Sequence, residues 1–106
     1  MSTSKEEHYE KGMEHFSEDR MDQAIEELYR ALKIDPAYGD ALHALAMTYY
    51  HQGDIDNAIK YGERYREADP SEALAYTSLS MFYNAKGMIE KAEEMGAKAN
   101  APPAQK

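Results

Sequence analysis

Residues 39–72 read GDALHALAMTYYHQGDIDNAIKYGERYREADPSE. Leu42, Leu45, Ala46 and Tyr49 recur along this stretch at the spacing of one helix face, until Gly53-Asp54 breaks the pattern. Ile55, Ala58 and Ile59 restart it, and Asp69-Pro70 ends it. Glycine relieves backbone strain at a helix end, and proline cannot continue a helix interior. The stretch therefore reads as a helix–turn–helix unit. A shift of 34 residues in either direction finds the same residues again. Ala24, Ala58 and Ala92 keep that spacing, as do Met13, Met47 and Met81, and Met21, Ile55 and Ile89. Pro36 pairs with Pro70 and Gly53 with Gly87 in the same register. That period belongs to arrays of paired helices.

The register predicts an all-α fold, a solenoid of three repeats and six helices. The repeats fall at residues 5–38, 39–72 and 73–106, within one domain. Helices are expected over residues 5–18, 21–34, 39–52, 55–68, 72–86 and 89–99. Ser4 and Glu7 form a capping-box pattern at the first helix, and Ser71 is the expected cap of the fifth. No strand-like alternation competes. The alanine column carries nothing beyond a methyl group, which lets two helices approach closely while Leu28 and Ile59 fill the space around it. One pair cannot bury its apolar face alone, so each repeat leans on the next. Residues 97–106 are rich in Ala, Pro and Lys and read as a tail that frays from about residue 100.

Composition narrows the partners. The chain has 12 Lys and Arg against 20 Asp and Glu, a formal net charge of −8. Nucleic acids and anionic membrane surfaces are bound by neutralising phosphate, so both are disfavoured. A basic or partly apolar protein partner suits this charge better, although the same acidity also serves plain solubility. No apolar run approaches the ~18 residues of a membrane-spanning helix, and the first residues lack the apolar core of a secretory leader. There is no cysteine, which excludes disulfides and Cys-ligated metals and fits a cytoplasmic chain.

These residues resemble the tetratricopeptide repeat family, whose motif runs W-x2-L-G-x2-Y, then A-x3-F, A and P. The first repeat offers Gly12, Ala24, Leu28, Ala31 and Pro36. The second offers Leu42, Leu45, Tyr49, Gly53, Ala58 and Pro70. The third offers Tyr76, Leu79, Tyr83, Gly87, Ala92 and Ala99. The resemblance covers nearly the whole chain and implies that the solenoid is a right-handed superhelix. Gly62 and Gly96 depart from it, standing where the family has a large residue. The third repeat has Pro102-Pro103 in place of the usual closing proline. Glu93 stands where the family has an apolar residue facing the next repeat, and reads as a built-in polar cap. Pairing of the final helix with another copy, or a longer parent chain, stays open beside that.

The resemblance implies that the first helix of each repeat lines a concave groove for a peptide or a partner helix. The site residues it implies are Tyr9, Met13 and Phe16 in the first repeat, His43, Met47, Tyr50 and His51 in the second, and Thr77, Met81 and Asn84 in the third. Methionine adapts to irregular apolar surfaces, and aromatics offer large contact area. Either group equally suits simple packing between helices. One family subclass grips the C-terminal carboxylate of heat-shock chaperones with Lys, Asn and Arg. The matching positions here are Tyr9, Met13, Ala44, Leu74 and Ser78, none of them a cation or an amide, so an acidic tail is disfavoured.

His8, His15, His43 and His51 show no single-turn metal spacing, and no HExxH, GxSxG or phosphate loop is present. Catalysis, cofactors and metals are therefore not expected. The function implied is a non-catalytic protein–protein interaction module or scaffold. The alternatives are a self-associating unit forming a homo-oligomer, or a fragment of a larger repeat protein.

Overall fold

A computed structural model describes residues 3–101 of the chain. Six helices follow one another: α1 (Lys5–Ser17), α2 (Met21–Ile34), α3 (Gly39–His51), α4 (Ile55–Ala68), α5 (Ala73–Lys86) and α6 (Ile89–Asn100). Each boundary lies within one residue of the sequence expectation, and the described residues contain no strand. Consecutive helices pack as antiparallel neighbours, and α1 also touches α3, so the odd-numbered helices share one face of the solenoid.

Local chemistry sets the helix ends. The Ser4 hydroxyl accepts the Glu7 N–H at 3.1 Å, and the Glu7 carboxylate accepts the Ser4 N–H at 3.2 Å, completing the capping box. The expected cap of α5 is corrected: Glu72, not Ser71, holds that place, its carboxylate accepting the Leu74 N–H at 3.2 Å. Pro70 and Ser71 are used up in a turn that the Glu72 N–H closes onto the Asp69 carbonyl at 3.1 Å, while the Ser71 hydroxyl donates to Asp69. The last helix runs one residue past its expected end at residue 99. Ala97 and Lys98 are good helix formers and continue α6 to Asn100, whose amide donates to the Gly96 carbonyl at 3.1 Å. Pro102-Pro103 lie outside the described residues.

Between the two helices of each pair the chain turns through a left-handed residue. Gly53 (φ 82°) and Gly87 (φ 88°) do this at no steric cost. The first pair uses Asp19 (φ 63°). The core is built on the alanine column: Ala24 and Ala58 are fully buried and Ala92 is 1% exposed. Leu28, Leu42, Leu45, Leu79 and Phe82 fill the space around it. Gly62 is explained by close approach, because a Cβ there would lie 2.9 Å from Leu79 and 3.2 Å from Phe82. Gly12 does the same against Leu28, at 2.9 Å.

Polar ties join the helices at their edges. Lys5 donates to Asp35 at 2.6 Å and His8 meets Glu27 at 2.8 Å, linking α1 to α2. Tyr83 donates to Glu63 at 2.6 Å, linking α5 to α4, and Arg66 donates to the same carboxylate at 2.7 Å from within α4. Glu26 and Arg30 pair at 2.6 Å as their spacing predicts.

Candidate functional site

The odd-numbered helices bring the ten sequence-derived residues into two clefts. The first lies between α1 and α3, holds about 220 Å³, and is lined by Tyr9, Met13, Phe16, His43, Ala44, Met47 and His51. The second lies at the α5–α6 end, holds about 660 Å³, and takes Tyr50, Thr77, Met81 and Asn84 together with Ser80, Ala85, Gly96, Ala99 and Asn100. Met13, Met47 and Met81 are each half-buried: they pack on the core with one side and line a cleft with the other. Both readings of the methionine column thus describe the same side chains.

Aromatic contacts hold the walls. The Phe16 ring meets His51 edge-on at 5.0 Å, Tyr9 meets Tyr38 at 5.8 Å, and Tyr50 leans on the fully buried Phe82 at 5.3 Å. His43 lies 5.4 Å from the Tyr65 ring, and its Nε2 is 3.2 Å from the Ser78 hydroxyl. Burial pushes the His43 imidazole below its ordinary range, while the carboxylates of Asp40 and Glu72 pull the other way. The neutral ring is therefore the favoured form.

The first cleft sits in a negative field. The Tyr65 phenol is pushed up to about 12, first by burial and then by Glu72, Asp69 and Asp40. Tyr9 is raised by burial and by Asp40, and Tyr38 by burial, Asp40 and Glu6. These carboxylates stand where the odd-numbered helices begin. Lys5, at the same edge, is neutralised by Asp35. The arrangement can therefore hold an apolar side chain in the cleft and a cation at its acidic end.

Sequence columns did not single out Ser80, Gly96, Ala99 or Asn100 as lining residues. They stand one period after Ala46, Gly62, Tyr65 and Arg66, and the signal lay in Ala99 and Asn100, which replace a large ring and a cation with smaller neutral side chains.

A family model described as tetratricopeptide repeat matches residues 15–80. Two structures of MamA superpose with TM-scores of 0.88 and 0.87, each at 33% identity, covering 92% of this chain and 57% and 53% of theirs. The chain thus spans about half the length of those MamA structures. The second TPR of Spaghetti (RPAP3), bound to HSP90 peptide SRMEEVD, superposes with a TM-score of 0.87 at 20% identity, covering 92% of this chain and 90% of its own. At that identity the likeness concerns the fold alone. No curated protein sequence matches the chain.

Proposed function

Because this chain belongs to the tetratricopeptide repeat family, we propose that it is a non-catalytic interaction module whose α1–α3–α5 face holds a peptide or helical segment of a partner protein. The observation that carries this reading is the apolar cleft of Tyr9, Met13, Phe16 and Met47 beside the carboxylates of Glu6, Asp40 and Glu72. The partner segment presents an apolar anchor to the cleft and a lysine or arginine to its acidic end. His43 and His51 close the cleft wall, and Tyr50, Thr77, Met81 and Asn84 extend the face toward α6. The repeats act as one unit divided at residues 5–38, 39–72 and 73–106. A cytoplasmic setting agrees with a chain that uses no cysteine.

A chaperone-type carboxylate grip is not part of this proposal. Of the five positions that would form it, Tyr9, Met13 and Ala44 line the apolar cleft, Leu74 is 44% exposed, and Ser78 is engaged by His43. An anionic terminus would meet no charge-assisted donor there.

Selection of a displayed random-peptide library on the whole chain tests the reading. Enriched peptides should carry apolar residues flanked by Lys or Arg. They should lose about tenfold or more in affinity against Met47→Glu and against Asp40→Lys, with circular dichroism confirming that both variants fold. Peptides that bind both folded variants as tightly as the parent would remove the cleft from the account.

A further inference from the structure

Away from the groove, three phenols meet. Tyr29 of α2 and Tyr49 of α3 bring their hydroxyls to 2.6 Å, and Tyr61 of α4 donates to Tyr29 at 3.1 Å. Tyr49 stands two residues from Met47, about 200° around α3, so it leaves the helix on the side opposite the groove. The Tyr49 and Tyr61 rings stack at 5.8 Å, and Tyr29 meets Tyr61 edge-on at 6.0 Å. Three phenols carry three protons and the cluster makes two hydrogen bonds, so one O–H has no acceptor within it. Two cations stand beside it. The Lys60 ammonium lies 5.4 Å and the Arg64 guanidinium 5.3 Å from the centre of the Tyr61 ring. Neither joins an ion pair among the described residues, although the chain has 20 Asp and Glu. Arg64 is half-buried, and its one hydrogen bond among them is a long one, 3.4 Å to the Pro36 carbonyl.

The next junction between repeats shows what such donors hold. One period of 34 residues on, Tyr49 becomes Tyr83 and Tyr29 becomes Glu63. There a phenol and a guanidinium share one carboxylate, Tyr83 donating to Glu63 at 2.6 Å and Arg66 at 2.7 Å. At the first junction the phenol and the guanidinium are present and the carboxylate is absent. We propose that Tyr29, Tyr49, Lys60 and Arg64 form a second binding site, which takes the side-chain carboxylates of an acidic segment of another protein. The spare O–H and the guanidinium supply charge-assisted hydrogen bonds. Lys60 and Arg64 stand one helical turn apart, so they engage two acidic residues rather than one. The Tyr29 ring, 38% exposed, adds apolar contact beside them.

Charge sorts the possible occupants. A net charge of −8 repels a long polyanion such as a nucleic acid, whereas two cations suffice for a short acidic run. Two-fold pairing of copies through this patch would set Lys60 and Arg64 against their own equals, and each copy brings the same −8. The carboxylates therefore come from a different chain. The acidic end of the α1–α3 cleft repels such a segment, so the two surfaces take partners of opposite charge. The proposal does not depend on what fills that cleft.

The experiment is an NMR titration of the whole isotopically labelled chain with an end-blocked hexaglutamate peptide at fixed ionic strength. Amide shifts should move around Tyr29, Tyr49 and Lys60, together with the Arg64 side-chain Nε–H, and stay still at Met13 and Met47. Lys60→Gln combined with Arg64→Gln should weaken binding about tenfold. Lys11→Gln removes an exposed cation of α1 that likewise joins no ion pair among the described residues, and should leave binding unchanged. Tyr29→Glu supplies the carboxylate within the chain, as Glu63 does at the next junction, and should abolish binding. Thermal melting checks that each variant folds; if Tyr29→Glu does not, the double variant against Lys11→Gln decides. Absence of shifts overturns the proposal. So do undiminished binding by the folded double variant, an equal loss with Lys11→Gln, or displacement of the peptide by an equal concentration of inorganic phosphate. Shifts at Tyr29 and Arg64 that appear on concentrating the chain alone would give the site to a second copy and overturn it as well.

Discussion

Three turns in this chain make the same pair of backbone hydrogen bonds. Asp19 and Arg20 bond to Phe16 and His15, Gly53 and Asp54 to Tyr50 and Tyr49, and Gly87 and Met88 to Asn84 and Tyr83. The second and third were legible in the sequence, since glycine after a helical stripe is the usual left-handed residue. The first was hidden by a side chain that tolerates this backbone at some cost. Asp19 is exposed at φ 63°. Asp19→Gly relieves about 1–2 kcal/mol of steric cost and returns about 0.5–1 kcal/mol as unfolded-chain entropy, so the variant should gain roughly 0.5 kcal/mol. Thermal melting should show the gain as a rise of about 2–4 °C, and a lower Tm would contradict the account. Residue size also alternates in a way that no single position reveals. The first repeat sets Leu28 over Gly12, whereas the second sets Gly62 beneath Leu79 and Phe82 from the next helix. Gly62 read alone was a weak point in a helix; read with its neighbours it is a contact surface.

At the scale of the helix, breaks were easier to read than caps. Gly53, Gly87 and the Asp-Pro pairs placed the ends because they act through backbone geometry alone. Ser71 failed as a cap because the outcome rested on how the preceding turn closes, a property of four residues together. The end of α6 fell within one residue of its expected place, because Ala and Lys are good helix formers even where composition resembles a tail. The alanine column is the firmest helix-level claim. Ala58 is fully buried where α4 crosses its neighbours. Ala58→Leu should cost about 1–3 kcal/mol by overpacking. Urea unfolding should show a lower midpoint with an unchanged slope, and an unmoved midpoint would mean that the crossing has room to spare.

For the whole molecule, the sharing of one face by the odd-numbered helices was legible because register along each helix follows from the period. Its division into two clefts was not. Depth depends on what the next helix inserts, and beside α6 no further helix stands among the described residues. The two ends of the solenoid therefore differ. One carries Lys11 and Glu14; the other carries the glycine-floored cleft and the exposed Met88 and Ile89, at 44% and 53%. Head-to-tail stacking of copies would bury Lys11 and Glu14 against the small residues Gly96 and Ala99, which disfavours it, whereas two-fold pairing of the α6 ends would bury neither. Sedimentation velocity over about a hundredfold range of concentration should find monomer, or monomer with dimer, and no larger series. A ladder of higher species would show that charged α1 residues can be seated after all.

The predominance of contacts between consecutive helices carries over into how the chain is made. Each helix finds its main partners in the segments just before and just after it, so no contact waits for a distant part of the chain to emerge. Such low-order topologies form quickly, and a chain leaving the ribosome can fold α1 onto α2, then add α3 and α4, while the rest is still being translated. The last pair then docks onto a surface already built. Unsheltered apolar surface during synthesis is limited to the newest helix and its open seat.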